Sequence, residues 1–145
     1  MDKTSESMEK IKREPTARMK ANPFLNIVLE ETYEDGEVIF KEGNSGDWVY
    51  VVLSGAVEVS KAIDETRFVL STLEPGDVFG ELALIGAVRR TATTRAIGRT
   101  TVGIIDRAFL DREFNKLSTD FRTVLVAMVE RFIKTMDRAR DFTTL

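Results

Sequence analysis

The chain reads as a mainly β domain, a sandwich or barrel, with helices at its flanks. Within residues 24–106, short runs rich in valine, isoleucine, threonine and aromatics are cut by glycine, aspartate and asparagine. The cuts fall roughly every 8–12 residues, the spacing of a sandwich or barrel. After residue 106 the apolar positions recur at three and four, the period of a helix. At 145 residues the whole fits one domain, and a hydrophobic share of 43% is enough for a core.

Residues 1–23 are polar and charged, with Pro15 interrupting any long helix and Pro23 closing the segment. A short helix near Glu9–Lys20 is the most this arm supports. Its basic run, Lys10, Lys12, Arg13, Arg18 and Lys20, is interrupted by Glu9 and Glu14 and reads as a solvated arm.

Strands are expected at Ile27–Tyr33, Glu37–Lys41, Val49–Leu53, Ala56–Lys61, Arg67–Leu73, Ala92–Ile97 and Thr100–Asp106. Between them stand turn sequences such as Glu34-Asp35-Gly36, Gly43-Asn44-Ser45-Gly46 and Glu74-Pro75-Gly76-Asp77. Gly36, Gly43, Gly55 and Gly76 mark the corners where the backbone needs a positive φ. Residues 107–145 are helical. Asp106 can cap a short helix through Phe114, and Ser118 or Thr119 a longer one. On the longer helix Phe121, Leu125, Met128, Phe132, Met136 and Ala139 share one face, and Val124, Val129 and Ile133 widen it. Two arrangements account for so broad a stripe: both sides pack on the β domain, or one meets a partner or closes over a ligand.

Composition removes most chemistry. The chain has no cysteine and no histidine. Disulfides, thiolate nucleophiles, His-ligated metals and Ser-His-Asp triads are therefore excluded. A net charge of −3 does not suit a nucleic-acid partner, because phosphate neutralisation demands a basic surplus. No stretch approaches the ~18 apolar residues of a membrane span, and the N-terminus has no apolar signal core. A cytoplasmic binding protein without membrane contact is expected.

The informative segment is residues 79–93, FGELALIGAVRRTAT. Gly80 permits a sharp turn and Glu81-Leu82-Ala83-Leu84-Ile85 has the composition of one helical turn. The first amides of such a turn lack intrahelical acceptors and suit an anion. Nine residues past Glu81 stands Arg90, whose planar fork can grip phosphate oxygens, followed by the small residues Thr91 and Ala92. A guanidinium, a hydroxyl, free amides and one carboxylate suit a ligand with an anionic phosphate beside a free hydroxyl, such as a ribose phosphate. Singly, Glu81 and Arg90 read as an exposed ion pair worth about 0–1 kcal/mol; the combination in one segment is what carries the reading.

This segment resembles the phosphate-binding cassette of cyclic nucleotide-binding domains, as found in catabolite activator proteins, cyclic-nucleotide-dependent protein kinases and cyclic-nucleotide-gated channels. Their pattern of Phe-Gly-Glu-Leu-Ala-Leu, a variable stretch, then Arg, a small residue and Ala is matched throughout residues 79–92. Gly36 to Phe40, Glu42-Gly43, Gly46-Asp47, Tyr50, Ser54-Gly55 and Pro75-Gly76-Asp77 extend the resemblance over residues 33–115. It implies an eight-stranded jelly-roll β-barrel with the cassette helix inserted and C-terminal helices after it. By the same resemblance, Glu81 and Gly80 hold the ribose, and Arg90, Thr91, Ala83, Leu82 and Ala92 hold the cyclic phosphate. Val69, Leu70, Ser71 and Thr91 face the base, and Met128, Arg131 and Phe132 are candidates for the lid that covers it. Arg89 departs from the family, which commonly has proline there. Thr91 resembles cGMP-preferring kinase sites, whereas the strand Phe68-Val69-Leu70-Ser71 lacks the arginine of some cGMP-selective sites; the balance leans to cAMP.

The implied function is a non-catalytic cyclic nucleotide sensor, with cAMP or cGMP as regulatory ligand and no other cofactor. Its signal passes through the C-terminal helices to an effector protein or a second copy. Metal-dependent enzymes on similar jelly-rolls need histidines this chain lacks. DNA-binding relatives carry a helix-turn-helix after the long helix, for which no room is expected before Leu145. The remaining alternative is a degenerate domain that scaffolds and binds no ligand.

Overall fold

A computed structural model of the chain describes residues 26–85 and 89–143. The polar arm and its expected helix lie outside the described residues. The elements are β1 (Ile27–Tyr33), β2 (Val38–Phe40), β3 (Val49–Ile63), β4 (Thr66–Leu73), β5 (Val78–Phe79), a 3-10 turn (Glu81–Ile85), β6 (Thr93–Ile105), α1 (Arg107–Asn115) and α2 (Thr119–Thr143). All strand pairs are antiparallel, in the order β1-β6-β3-β4, with β2 added to β6 and β5 to β3.

Among the described residues the strands number six, where the family resemblance implies eight. The runs Val49–Leu53 and Ala56–Lys61 are one strand, β3, and the two runs on either side of Gly98 are one strand, β6. The chain turns a corner there without leaving the ladder. Register shifts fall on either side of Ser54, and Gly55 adopts a φ of 83°. A Cβ at Gly55 would lie 2.5 Å from the Arg99 carbonyl and from Thr100 Oγ1, so only glycine fits. The fully buried Thr100 hydroxyl then accepts from the Ala56 amide (3.2 Å) and donates to the Ala56 carbonyl (2.9 Å). It supplies the bonds that the irregular ladder forfeits.

β3 passes directly into β4 through Asp64 and Glu65, with Ile63 paired to Thr66. Both turn residues have positive φ, 50° and 67°, the left-handed pair that matches strand twist in a two-residue hairpin. Beneath the sheet, Tyr50, Val52, Val57, Phe79, Val102 and Ile104 form the main core. Val49, Val51 and Ile105 face the other way and pack against Leu53, Val78 and Leu110 of α1. Burial on both faces is why the start of β3 reads as an unbroken apolar run rather than an alternation. Asp106 caps α1 by accepting from the Ala108 amide, and Ser118 Oγ accepts from the Phe121 amide at the start of α2. Among the described residues no helix is long and apolar enough to cross a membrane. No described side chain of α2 is fully buried, so the arrangement in which both its sides pack on the β domain does not hold.

Candidate functional site

Arg90 is the centre of the site, and its position is set by backbone bonds on both sides. The Gly43 amide donates to the Arg90 carbonyl and the Arg90 amide donates to the Asn44 carbonyl, each at 2.8 Å. An isolated bridge joins Ser45 to Arg89, whose own side chain donates to the Gly43 carbonyl at 3.1 Å. This seam turns Arg90 inward, where only 7% of it is exposed.

Its guanidinium donates through Nη2 to the Trp48 carbonyl (2.8 Å) and through Nη1 to the Gly80 carbonyl (3.3 Å). Nε is buried without a partner. The group lies 4.2 Å from the centroid of Phe40 and 5.9 Å from that of Tyr50, over a platform of mutually packed Phe40, Tyr50 and Phe79 rings. Two glycines make the space. A Cβ at Gly46 would come within 2.9 Å of Nε, and one at Gly80, where φ is 76°, within 2.9 Å of Nη1. Burial pulls the guanidinium below its ordinary value, while Tyr50, Asp47 and Glu81 oppose the shift. Burial likewise pushes the Tyr50 phenol up, against the pull of Arg90. Among the described residues no carboxylate forms an ion pair with Arg90. The site is therefore a buried cation with no carboxylate in contact, and an anion would relieve it.

Beside the guanidinium opens a cavity of about 380 Å³. Gly80, Glu81, Leu82, Ala83, Arg90, Thr91 and Ala92 all line it, so the cassette residues are brought together. One detail differs from expectation. The Ala83 amide does not point away from the turn but closes it, donating to the Gly80 carbonyl at 3.2 Å, because the turn is a tight 3-10 turn.

The base-side candidates divide. Leu70 and Ser71 line the cavity, whereas Val69 points outward and is 55% exposed. The register explains this: Val59 pairs with Ser71 and Ser60 with Val69, which leaves Leu70 as a bulged residue. A bulge lets adjacent residues face one side of a strand. On α2, Phe132 reaches the cavity, but Met128, 61% exposed, and Arg131 do not. Met136, one turn beyond Phe132, does, and so do Phe40, Val59, Leu73 and Val78. The helical period that places Phe132 and Met136 on one face was the available signal for Met136.

The walls are mostly apolar, with two cations, Arg89 and Arg90, the Glu81 carboxylate and the hydroxyls of Ser71, Thr91 and Thr94. That volume and lining suit a small anionic ligand with an apolar body. Among the described residues no group of three or more acidic side chains is placed to hold a metal ion.

Known proteins resemble this chain over most of its β domain. A family model described as "Cyclic nucleotide-binding domain" matches residues 30–116. The chain is 34% identical over 110 residues to a cAMP-dependent protein kinase regulatory subunit of Dictyostelium discoideum, covering 73% of this chain and 32% of that protein. It is 35% identical over 111 residues to a cGMP-dependent protein kinase of Toxoplasma gondii, covering 76% of this chain and 11% of the kinase. Among solved structures, the regulatory domain of Toxoplasma gondii PKA with cAMP aligns at a TM-score of 0.54 and 32% identity, over 73% of this chain and 39% of that one. The chain thus spans a third or less of the length of these two curated relatives.

Proposed function

This chain belongs to the cyclic nucleotide-binding domain family, and from that premise we propose that it is a non-catalytic sensor of a cyclic nucleotide, cAMP ahead of cGMP. The observation that carries the reading is the buried Arg90 guanidinium, without a carboxylate partner, on the wall of the 380 Å³ cavity. A cyclic phosphate takes up the unpartnered Nε and competes for the terminal nitrogens now held by the Trp48 and Gly80 carbonyls. Charge-assisted bonds to phosphate are stronger than bonds to neutral carbonyls, so the exchange is favourable. Thr91, the Ala92 amide and the small walls at Leu82 and Ala83 surround the same group. Glu81, at the rim beside Gly80, accepts from the ribose hydroxyl. The base rests among Leu70, Ser71, Phe132 and Met136.

The lean to cAMP rests on the β4 residues that line the cavity, Leu70, Ser71 and Leu73, none of which is an arginine. Phe132 and Met136 link the cavity to α2, so a ligand that contacts them biases the position of that helix. Phe121, Val124 and Met128 remain exposed on α2 and offer an apolar stripe to an effector or a second copy.

Arg90→Ala tests the assignment. Removing a bidentate charge-assisted contact weakens cyclic nucleotide binding by roughly a hundredfold or more, with the fold retained. A folded variant that titrates with the native affinity overturns the assignment. A native chain that binds neither nucleotide leaves a scaffold.

A further inference from the structure

We infer that Lys61 is a positioning residue for the anion site, an inference that rests on the cyclic nucleotide reading and deepens it. Lys61 is only 3% exposed, a rare state for an ammonium, and it does not line the cavity. Its Nζ donates to the Thr91 carbonyl at 3.0 Å and pairs with Glu42 Oε2 at 3.5 Å. Glu42 is itself fixed: Oε1 accepts from the Ala62 amide (3.1 Å), and its own amide donates to Thr93 Oγ1 (2.9 Å). Lys61 thus grips both strands of the seam that presents Arg90, residues 42–44 on one side and 90–93 on the other.

The consequence lies in the peptide joining Thr91 to Ala92. In a trans peptide the C=O and the following N–H point in opposite directions. With the Thr91 carbonyl drawn down onto the buried ammonium, the Ala92 N–H is turned the other way, toward the cavity that Thr91 and Ala92 line. That N–H finds no acceptor among the described residues. Lys61 therefore aims a backbone donor at the phosphate without touching it, and holds that donor in register with Arg90. A buried lysine whose only task was stability would not need to end on this carbonyl, since apolar replacements of buried ion pairs often fold as well or better.

The test uses cyclic nucleotide phosphorothioates, in which sulfur replaces one exocyclic oxygen or the other. Native chain, Lys61→Met and Lys61→Gln are titrated with the more tightly bound of cAMP and cGMP and with its Rp and Sp analogues, well below each variant's unfolding midpoint. Losing one aimed donor raises Kd by roughly tenfold. It also changes the Rp/Sp affinity ratio, because only one oxygen loses its partner. Lys61→Gln, too short to reach the Thr91 carbonyl, behaves in the same direction and serves if Lys61→Met fails to fold. A ratio and a Kd equal to those of the native chain overturn the role of Lys61, as does a weakening equal for both diastereomers. A native chain that binds no cyclic nucleotide overturns the sensor reading, and this inference with it.

Discussion

Replacing Gly46 by alanine separates folding from binding at the Arg90 site. The added Cβ would lie 2.9 Å from Arg90 Nε, 3.0 Å from Nη2 and 3.2 Å from Cζ. Favourable contacts between such atoms begin near 3.5 Å, so the guanidinium must slide by several tenths of an ångström. The atoms displaced are the end of a flexible side chain, and the backbone need not move. Stability therefore changes by about 1 kcal/mol or less. Binding has no such freedom. The guanidinium meets phosphate from its place 4.2 Å above Phe40, and a displaced group misses one phosphate oxygen. Losing one charge-assisted hydrogen bond costs about 1.5–3 kcal/mol, which is roughly a ten- to hundredfold rise in Kd. Urea unfolding followed by Trp48 fluorescence, run beside calorimetric titration with cAMP and cGMP, reads both quantities. A stable variant with affinity within about twofold of native would falsify the claim that Gly46 makes room for a working Arg90.

Two further outcomes concern the scaffold. Because Asp64 and Glu65 both hold positive φ, changing them to Asn-Gly stabilises the hairpin by about 1 kcal/mol; an unchanged urea midpoint contradicts this. Burial raises the Tyr50 phenol above its ordinary value, and Tyr33 is raised too, by burial first and then by its bond to Glu31. The native state therefore keeps these protons while the unfolded chain loses them. Their contribution to stability is full below about pH 10 and declines as pH rises through that value. Tyr50→Phe makes the alkaline decline shallower, seen by comparing urea midpoints at about pH 8 and about pH 10.5; an identical decline shows that Tyr50 does not drive it.

Much of this architecture is written locally. Turn glycines, the Asp106 cap and the Glu81–Ile85 turn are set by residues a few positions apart, and the structure has them where the sequence puts them. The continuity of β3 is not local. Ser54-Gly55 has the composition of a turn, and what holds the strand at the next residue, Ala56, is the Thr100 hydroxyl, 44 residues further along the chain. Val69 faces outward for a similar reason: alternation along β4 is broken by the bulge at Leu70, which depends on the partner strand. On α2 the period defined the apolar face, but which turn of that face meets the cavity depends on tertiary placement. It selects Phe132 and Met136 over Met128. Lys61 closes an expected strand like any surface lysine; only the fold shows its Nζ on the Thr91 carbonyl.

The sensor reading requires that Arg90 and its surroundings form a cyclic phosphate site. Calorimetric titration of the native chain with cAMP, cGMP and 5′-AMP tests it most directly, with Trp48 fluorescence in parallel because the Trp48 carbonyl is released as phosphate takes the guanidinium. Saturable binding of a cyclic nucleotide is expected, cAMP more tightly than cGMP, and none of 5′-AMP. A folded chain that binds none of the three, or binds 5′-AMP as well as the cyclic forms, contradicts it.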